Sequence, residues 1–174
     1  MKSAPATSFV ALLRAVNVGG TATLPMAQLA ALCADLGLAG VRTYIQSGNV
    51  VFKSPLGEEK IRLQLEKALS KEMGKPIDIL IRTGAALSTV LAANPFPQAD
   101  PSRVGILFLP APPPASLVKG LVIPGREEIV GIGREVYVHY PDGMGRSKLK
   151  LAALGTGTMR NGNTVAKLAA LAAE

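Results

Sequence analysis

With 174 residues, 48% of them hydrophobic, the chain is long enough to bury the core of one compact domain or of two small ones. Its apolar runs are short and broken by Gly, Pro or charge, which excludes a membrane-spanning helix; a lone cysteine, Cys33, excludes an intrachain disulfide and a cysteine-based metal site. The net charge of +7 is unevenly placed: no Asp or Glu precedes Asp35 or falls between Gly143 and Ala173, where Arg146, Lys148, Lys150, Arg160 and Lys167 lie. Basic surface of that kind attracts phosphates, nucleic acid or acidic partners, or simply stays solvated. Trp is absent and aromatics are few, so base-stacking platforms are poorly supplied.

The N-terminal run "SFVALLRAV" (8–16) is apolar on both faces, as a central strand is; it carries Arg14 and no cleavage site, so it reads as strand and not signal peptide. Cys33, read as a small buried hydrophobe on a helix, sets a reduced, cytoplasmic compartment as the expectation. Pro25 opens a helix at its first position, with Met26, Leu29, Ala30, Cys33 and Leu36 in one stripe and Gly37 at its end. "VRTYIQ" and "NVVFK" are β-rich and meet at Ser47-Gly48-Asn49, a tight or bulged turn. A helix follows Ser54-Pro55, with Glu58 and Glu59 near its positive end, a stripe of Ile61, Leu65, Leu69 and Met73, and a stop at Gly74. "IDILIRT" completes β-α-β-β-α-β, the ferredoxin-like order.

Thr83 caps a short helix, and "NPFPQADP" (94–101) breaks regular structure as a junction between halves. Beyond it "RVGILFLP" is a strand, "PASLVKGL" a short helix, and "EEIVGIG" and "EVYVHY" two strands meeting near Gly133-Arg134. "SKLKLAALG" and "NTVAKLAALAA" read as helices. The order of elements repeats; no residue-level repeat is visible. The expected fold is α+β: two ferredoxin-like (βαββα-type) halves, each an antiparallel sheet with helices packed on it. Residues 1–83 form the first half, 84–101 a helix and junction, and 102–174 the second half with a C-terminal helix.

Candidate sites fall at turns and element ends. Arg14, Asn17, Gly19 and Gly20 form a strand-to-helix loop whose glycines let backbone amides approach an anion, while Arg14 adds a charge-assisted bond. "NVGGTAT" matches neither dinucleotide nor P-loop spacing, and the competing reading is a plain turn with Arg14 paired to an acid. Ser47 and Asn49 either lie beside that loop or serve turn chemistry alone. Arg146, Ser147, Lys148, Arg160 and Asn161 combine basic side chains with helix starts, which Ser147, Asn163 or Thr164 would cap; solvated basic surface is the alternative. His139, the only histidine, has no obvious carboxylate, Ser or Cys companion in sequence and reads as structural before it reads as a base. No spacing typical of hydrolases or metal sites occurs.

The segments "FVALLRAVNVGG", "LPMAQLAALCADLGLAGVRTYIQSGNVVF", "ANPFP", "FLPAPP", "GREVYVHYPDGMGRSKL" and "RNGNTVAKLAAL" together resemble the bacterial domain of unknown function 1697 family from Phe9 to Leu171. The resemblance implies an α+β fold of ferredoxin-like halves and no assigned reaction. Arg14, Asn17, Gly19, Gly20, Gln46, Ser47, Gly48, Asn49, Arg146, Ser147, Lys148, Arg160, Asn161 and Thr164 match its motif segments. Gly162 stands where the family usually has an aromatic, typically Trp, and "KLKLAALGTGTM" is shorter than its usual counterpart.

The leading functional expectation is binding of an anionic ligand (a nucleotide, nucleic acid or phosphorylated metabolite) at the Gly-Gly loop and basic C-terminal segment. No cofactor is called for. Two alternatives stand beside it: a small enzyme acting on a phosphorylated or carboxylated substrate through Arg14, Ser47, Asn49 and Lys148, and an oligomeric interaction protein with no small-molecule site, whose sheet face or edge pairs with itself or with a partner, a homo-oligomer being one form of this.

Overall fold

The computed structural model describes residues 5–14, 24–44 and 48–174. The chain divides into two compact units, Met1–Leu87 with Leu168–Glu174, and Ser88–Lys167.

In the first unit, β1 (Thr7–Leu13), β2 (Ala39–Tyr44), β3 (Asn49–Ser54) and β4 (Ile79–Thr83) form an antiparallel sheet in the order β2-β3-β1-β4, with α1 (Met26–Asp35) and α2 (Glu58–Met73) as crossovers. This is the split β-α-β arrangement that the element order predicts. Alternation decides which residues face the helices. Phe9, Ala11 and Leu13 of β1, Val50 and Phe52 of β3, and Ile79 and Ile81 of β4 meet Leu29 and Cys33 of α1 and Ile61, Leu65 and Leu69 of α2 in one buried cluster. Phe9 lies opposite Phe52 across the β1–β3 ladder, with ring centroids 5.9 Å apart and stacked. Val10 and Leu12, on the opposite face of β1, are also fully buried, as the doubly apolar run predicts.

The ends of these elements follow the sequence closely. Pro25 sits one position before α1, and Gly74 closes α2 in the left-handed conformation. The β2–β3 hairpin closes at Tyr44 and Asn49, and Gly48, at φ 80°, takes a turn conformation disfavoured for any residue with a Cβ. Arg42 on β2 donates to the Leu171 carbonyl at 2.8 Å and pairs with Glu174, tying the chain's last residues into this unit.

The second unit repeats the sheet. β5 (Val104–Phe108), β6 (Glu128–Ile132), β7 (Glu135–His139) and β8 (Thr158–Asn161) lie antiparallel in the order β6-β7-β5-β8, with α4 (Ala115–Lys119) between β5 and β6. Two expectations are corrected here. The segment "SKLKLAALG" is not a helix: residues 147–151 have no regular secondary structure and only Ala152–Leu154 make a 3-10 turn. Ser147, Leu149 and Leu151 turn inward while Lys148 and Lys150 are exposed, a period of two and not 3.6. Met144, Leu149, Leu151 and Leu154 then cover Leu107, Val136, Val138 and Tyr140, in the place where α2 covers the first sheet. The second correction is the short strand β8, which precedes the last helix.

α3 (Gly84–Ala92) follows β4, and α5 (Gly162–Ala172) follows β8. Thr83 Oγ1 accepts from the Ala86 amide at 3.0 Å, so Thr83 caps α3 as expected. Asn161 Oδ1 accepts from the Thr164 amide at 2.9 Å, so α5 is capped by Asn161 and not by Asn163 or Thr164. In the ladders, Arg82 faces Val10 and Arg160 faces Ile106, each one residue before its cap. Arg-Thr-Gly at 82–84 and Arg-Asn-Gly at 160–162 are thus a residue-level repeat at matching places in the two sheets, although the sequence alone reads as having none.

Candidate functional site

The β6–β7 hairpin turns at Gly133-Arg134, and its register places Glu128 opposite His139. The residues just outside that pair, Arg126 and Glu127 before β6 and Tyr140 to Asp142 after β7, therefore arrive at the same end of the hairpin. A turn follows, in which the Gly143 amide donates to the Tyr140 carbonyl at 2.9 Å. The chain then makes a 3-10 turn over Met144–Arg146 before Ser147 and Lys148. These segments enclose a cavity of about 280 Å³ whose wall includes Glu127, Tyr140, Asp142, Arg146, Ser147 and Lys148.

Both carboxylates of this cavity already have donors. Ser147 Oγ donates to Glu127 Oε1 at 2.7 Å, and the Gly125 amide donates to Oε2 at 2.9 Å. The Ser147 bond, with help from backbone amides, holds the Glu127 carboxyl below its usual range. Asp142 pairs with Arg126 through two nitrogens, and that bond lowers its pKa, with Arg103 and Arg146 adding further attraction. Ser147 Oγ also accepts from the Leu149 amide at 3.1 Å, so this serine ties 125–127 to 147–149 and caps no helix. Arg146 and Lys148 are exposed. Apart from the attraction of Arg146 for Asp142, neither side chain has a hydrogen bond or close ion pair among the described residues. The cavity thus pairs two ionised, hydrogen-bonded carboxylates with two cations that point to solvent.

Asn17, Gly19, Gly20, Gln46 and Ser47 fall outside the described residues. Arg14, in the first unit, donates its amide to the Asp78 carbonyl at 3.0 Å, and its half-exposed guanidinium lies 3.8 Å from the Asp78 carboxylate. Asn49 is fully buried and donates to the Tyr44 carbonyl at 3.0 Å across the hairpin. Arg160 is buried in β8 and donates to Thr158 Oγ1 at 2.6 Å and to the Met159 carbonyl at 3.0 Å. Burial brings its guanidinium pKa down to about 10. Arg160 and Asn161 do not line the cavity. Gly162 packs closely at the helix start: a Cβ there would lie 3.0 Å from the Pro101 carbonyl oxygen, so a side chain at this position requires Pro101 to shift by a few tenths of an ångström.

Sequence reasoning missed Glu127, Tyr140 and Asp142. The signal was present in the hairpin: once Gly133-Arg134 is the turn, residues whose numbers sum to the same value face one another, which places Glu127 beside Tyr140. It also gave His139 no companion. In the structure His139 Nδ1 lies 3.6 Å from Glu128 Oε1, and its ring is 5.6 Å from that of Phe96.

Two antiparallel four-stranded sheets, each in the split β-α-β order and followed by a capped helix, define an α+β protein of repeated ferredoxin-like halves. The chain belongs to the family described as protein of unknown function (DUF1697), whose model matches residues 6–137. It is similar in fold to the conserved bacterial protein SP0830 from Streptococcus pneumoniae, at 22% identity and a TM-score of 0.78 over 97% of this chain and 99% of that one. No curated protein matches the sequence. Among the described residues, no helix is long and apolar enough to cross a membrane.

Proposed function

We propose that the chain binds an anionic ligand, with a phosphate-bearing small molecule the best fit, at the cavity beside Arg146, Ser147 and Lys148. The observation that carries this reading is the pair of solvent-facing cations, Arg146 and Lys148, beside carboxylates that Ser147 and Arg126 already hold. A volume of about 280 Å³ admits a phosphoryl group with a small organic portion. For a nucleic acid the same cations would hold a backbone phosphate, with the acid-free segment 143–173 adding long-range attraction. The enzyme reading draws less support. Ser147 does face a carboxylate, but Glu127 is held in its ionised form and is a weak base for a hydroxyl proton.

The test is a thermal-shift screen of phosphorylated metabolites, nucleotides and oligonucleotides at two salt concentrations, run on the wild-type chain and on Arg146→Glu/Lys148→Glu. A ligand at a hundred times its Kd adds about 2.7 kcal/mol of stability, and a phosphate contact weakens as salt rises. The expected result is stabilisation of the wild type at low salt that the double variant loses. No stabilisation by any phosphate compound, or equal stabilisation of both proteins, overturns the reading.

A further inference from the structure

β6 is the outer strand of its sheet, and the backbone bonds show which of its groups face outward. The Leu109 amide donates to the Arg134 carbonyl, and the Tyr140 amide donates to the Arg103 carbonyl. The even-numbered residues 134–140 therefore bond toward β5, and Glu135, Tyr137 and His139 bond toward β6. Their partners are Ile132, Val130 and Glu128. The N–H and C=O groups of Ile129 and Gly131 are left pointing away from the sheet. A groove of about 360 Å³ runs along this edge, walled by Pro112, Pro113 and Val118 opposite Ile129 and Gly131. Apolar exposure is concentrated around the same segment. Among the described residues, all the exposed large hydrophobics except Leu63 fall between Leu117 and Ile132, with Val122 83% and Ile132 40% exposed. An open strand edge bordered by exposed apolar side chains is a template for another strand.

We infer that β6 pairs antiparallel with β6 of a second copy of this chain, joining two four-stranded sheets into one. Outward-facing residues must oppose one another, so the two-fold axis passes through Ile129, Val130 or Gly131. An axis at Ile129 sets Glu128 against Val130. An axis at Val130 sets Glu128 against Ile132. An axis at Gly131 sets Val130 against Ile132, apolar on apolar, and leaves Glu128 beside the partner's hairpin turn, where the chain has left the line of β6. Only this last register sets no charge against an apolar side chain. It also puts a residue without a side chain at the axis on the face that α4 covers, where Val118 lies 3.5 Å from the place of a Gly131 Cβ.

Sedimentation velocity of the full chain tests this. A seam this short belongs to the weak class of interfaces, so the weight-average sedimentation coefficient rises between about 10 µM and about 1 mM. Gly131→Pro removes an outward N–H that the hairpin does not use, and Ile132→Lys places a charge at the seam. Each keeps the far-UV circular dichroism and sediments as a monomer throughout. A wild-type chain that stays monomeric to the top of the range overturns the inference. So does a dimer that survives both Gly131→Pro and Ile132→Lys.

Discussion

Tyr137→Phe removes a single oxygen from the interior of the second unit, and the structure sets its cost. Tyr137 is 1% exposed, and its hydroxyl donates to the Val90 carbonyl at 2.7 Å. Val90 lies in the last turn of α3, where carbonyls run out of helical donors. The two amides within reach donate elsewhere, Ala93 to Thr89 and Asn94 to Leu91. The phenol is therefore what satisfies this helix end, and phenylalanine leaves a buried carbonyl unpaired while keeping the ring packed. A buried acceptor without a donor costs about 1–3 kcal/mol. At about 2 kcal/mol, the melting temperature of a chain this size falls by about 4–8 °C. Tyr140→Phe is the control. It lies on the opposite face, with Val136 and Val138, and is 5% exposed, but its hydroxyl has only the Met159 sulfur at 3.5 Å, a weak acceptor. Its loss costs at most about 0.5 kcal/mol. Urea unfolding followed by circular dichroism, with the slope unchanged, measures both. If Tyr137→Phe unfolds with the wild type, or Tyr140→Phe is destabilised as much as Tyr137→Phe, the helix-end assignment is wrong.

Gly157→Ala should destabilise by about 1–3 kcal/mol in the same assay, because a Cβ there would meet the Phe108 carbonyl oxygen at 2.6 Å and backbone must move; Gly131→Ala, where the nearest atom is a Val118 methyl at 3.5 Å, is the tolerated comparison. Burial raises the Cys33 thiol and the Tyr137 and Tyr140 phenols each to about 12, from 9.0 for the thiol and 10.0 for the phenols. The unfolded chain loses these protons first as pH rises, so their contribution is complete below about pH 9 and declines from there toward pH 12. The urea midpoint should fall over that window and fall less steeply in Tyr137→Phe; a midpoint constant from pH 8 to pH 11.5 refutes it.

The first unit was legible almost residue by residue because its signals agree. The stripe Ile61, Leu65, Leu69 has one period, Gly74 ends it, and Phe9, Ala11 and Leu13 alternate against it. The second unit departs where signals conflict. In "SKLKLAALG" the leucines and alanines have high helix propensity, yet Leu149 and Leu151 are needed on one side of an irregular segment to cover β7, and burial outweighs propensity. β8 escapes notice because four residues between Gly157 and a helix carry little periodicity, and its strand character comes from pairing with β5. Part of the candidate site was visible: Arg146, Ser147 and Lys148 are three consecutive residues and arrive together of necessity. Their neighbours Glu127 and Asp142 come from the two ends of a hairpin, so only its register places them. Asn161 reads in the sequence as a ligand group, with Asn163 or Thr164 as the cap, and the Thr164 amide at 2.9 Å makes Asn161 the cap.

The matched Arg-Thr-Gly and Arg-Asn-Gly corners give the molecule a built-in experimental comparator. Each substitution at Arg82 or Gly84 has a twin at Arg160 or Gly162, made at a matching place in the other sheet but with different neighbours: Ala172 beside Gly84, Pro101 beside Gly162. The difference between twins therefore isolates what surroundings add to an identical chemical change, a quantity that ordinarily requires two proteins.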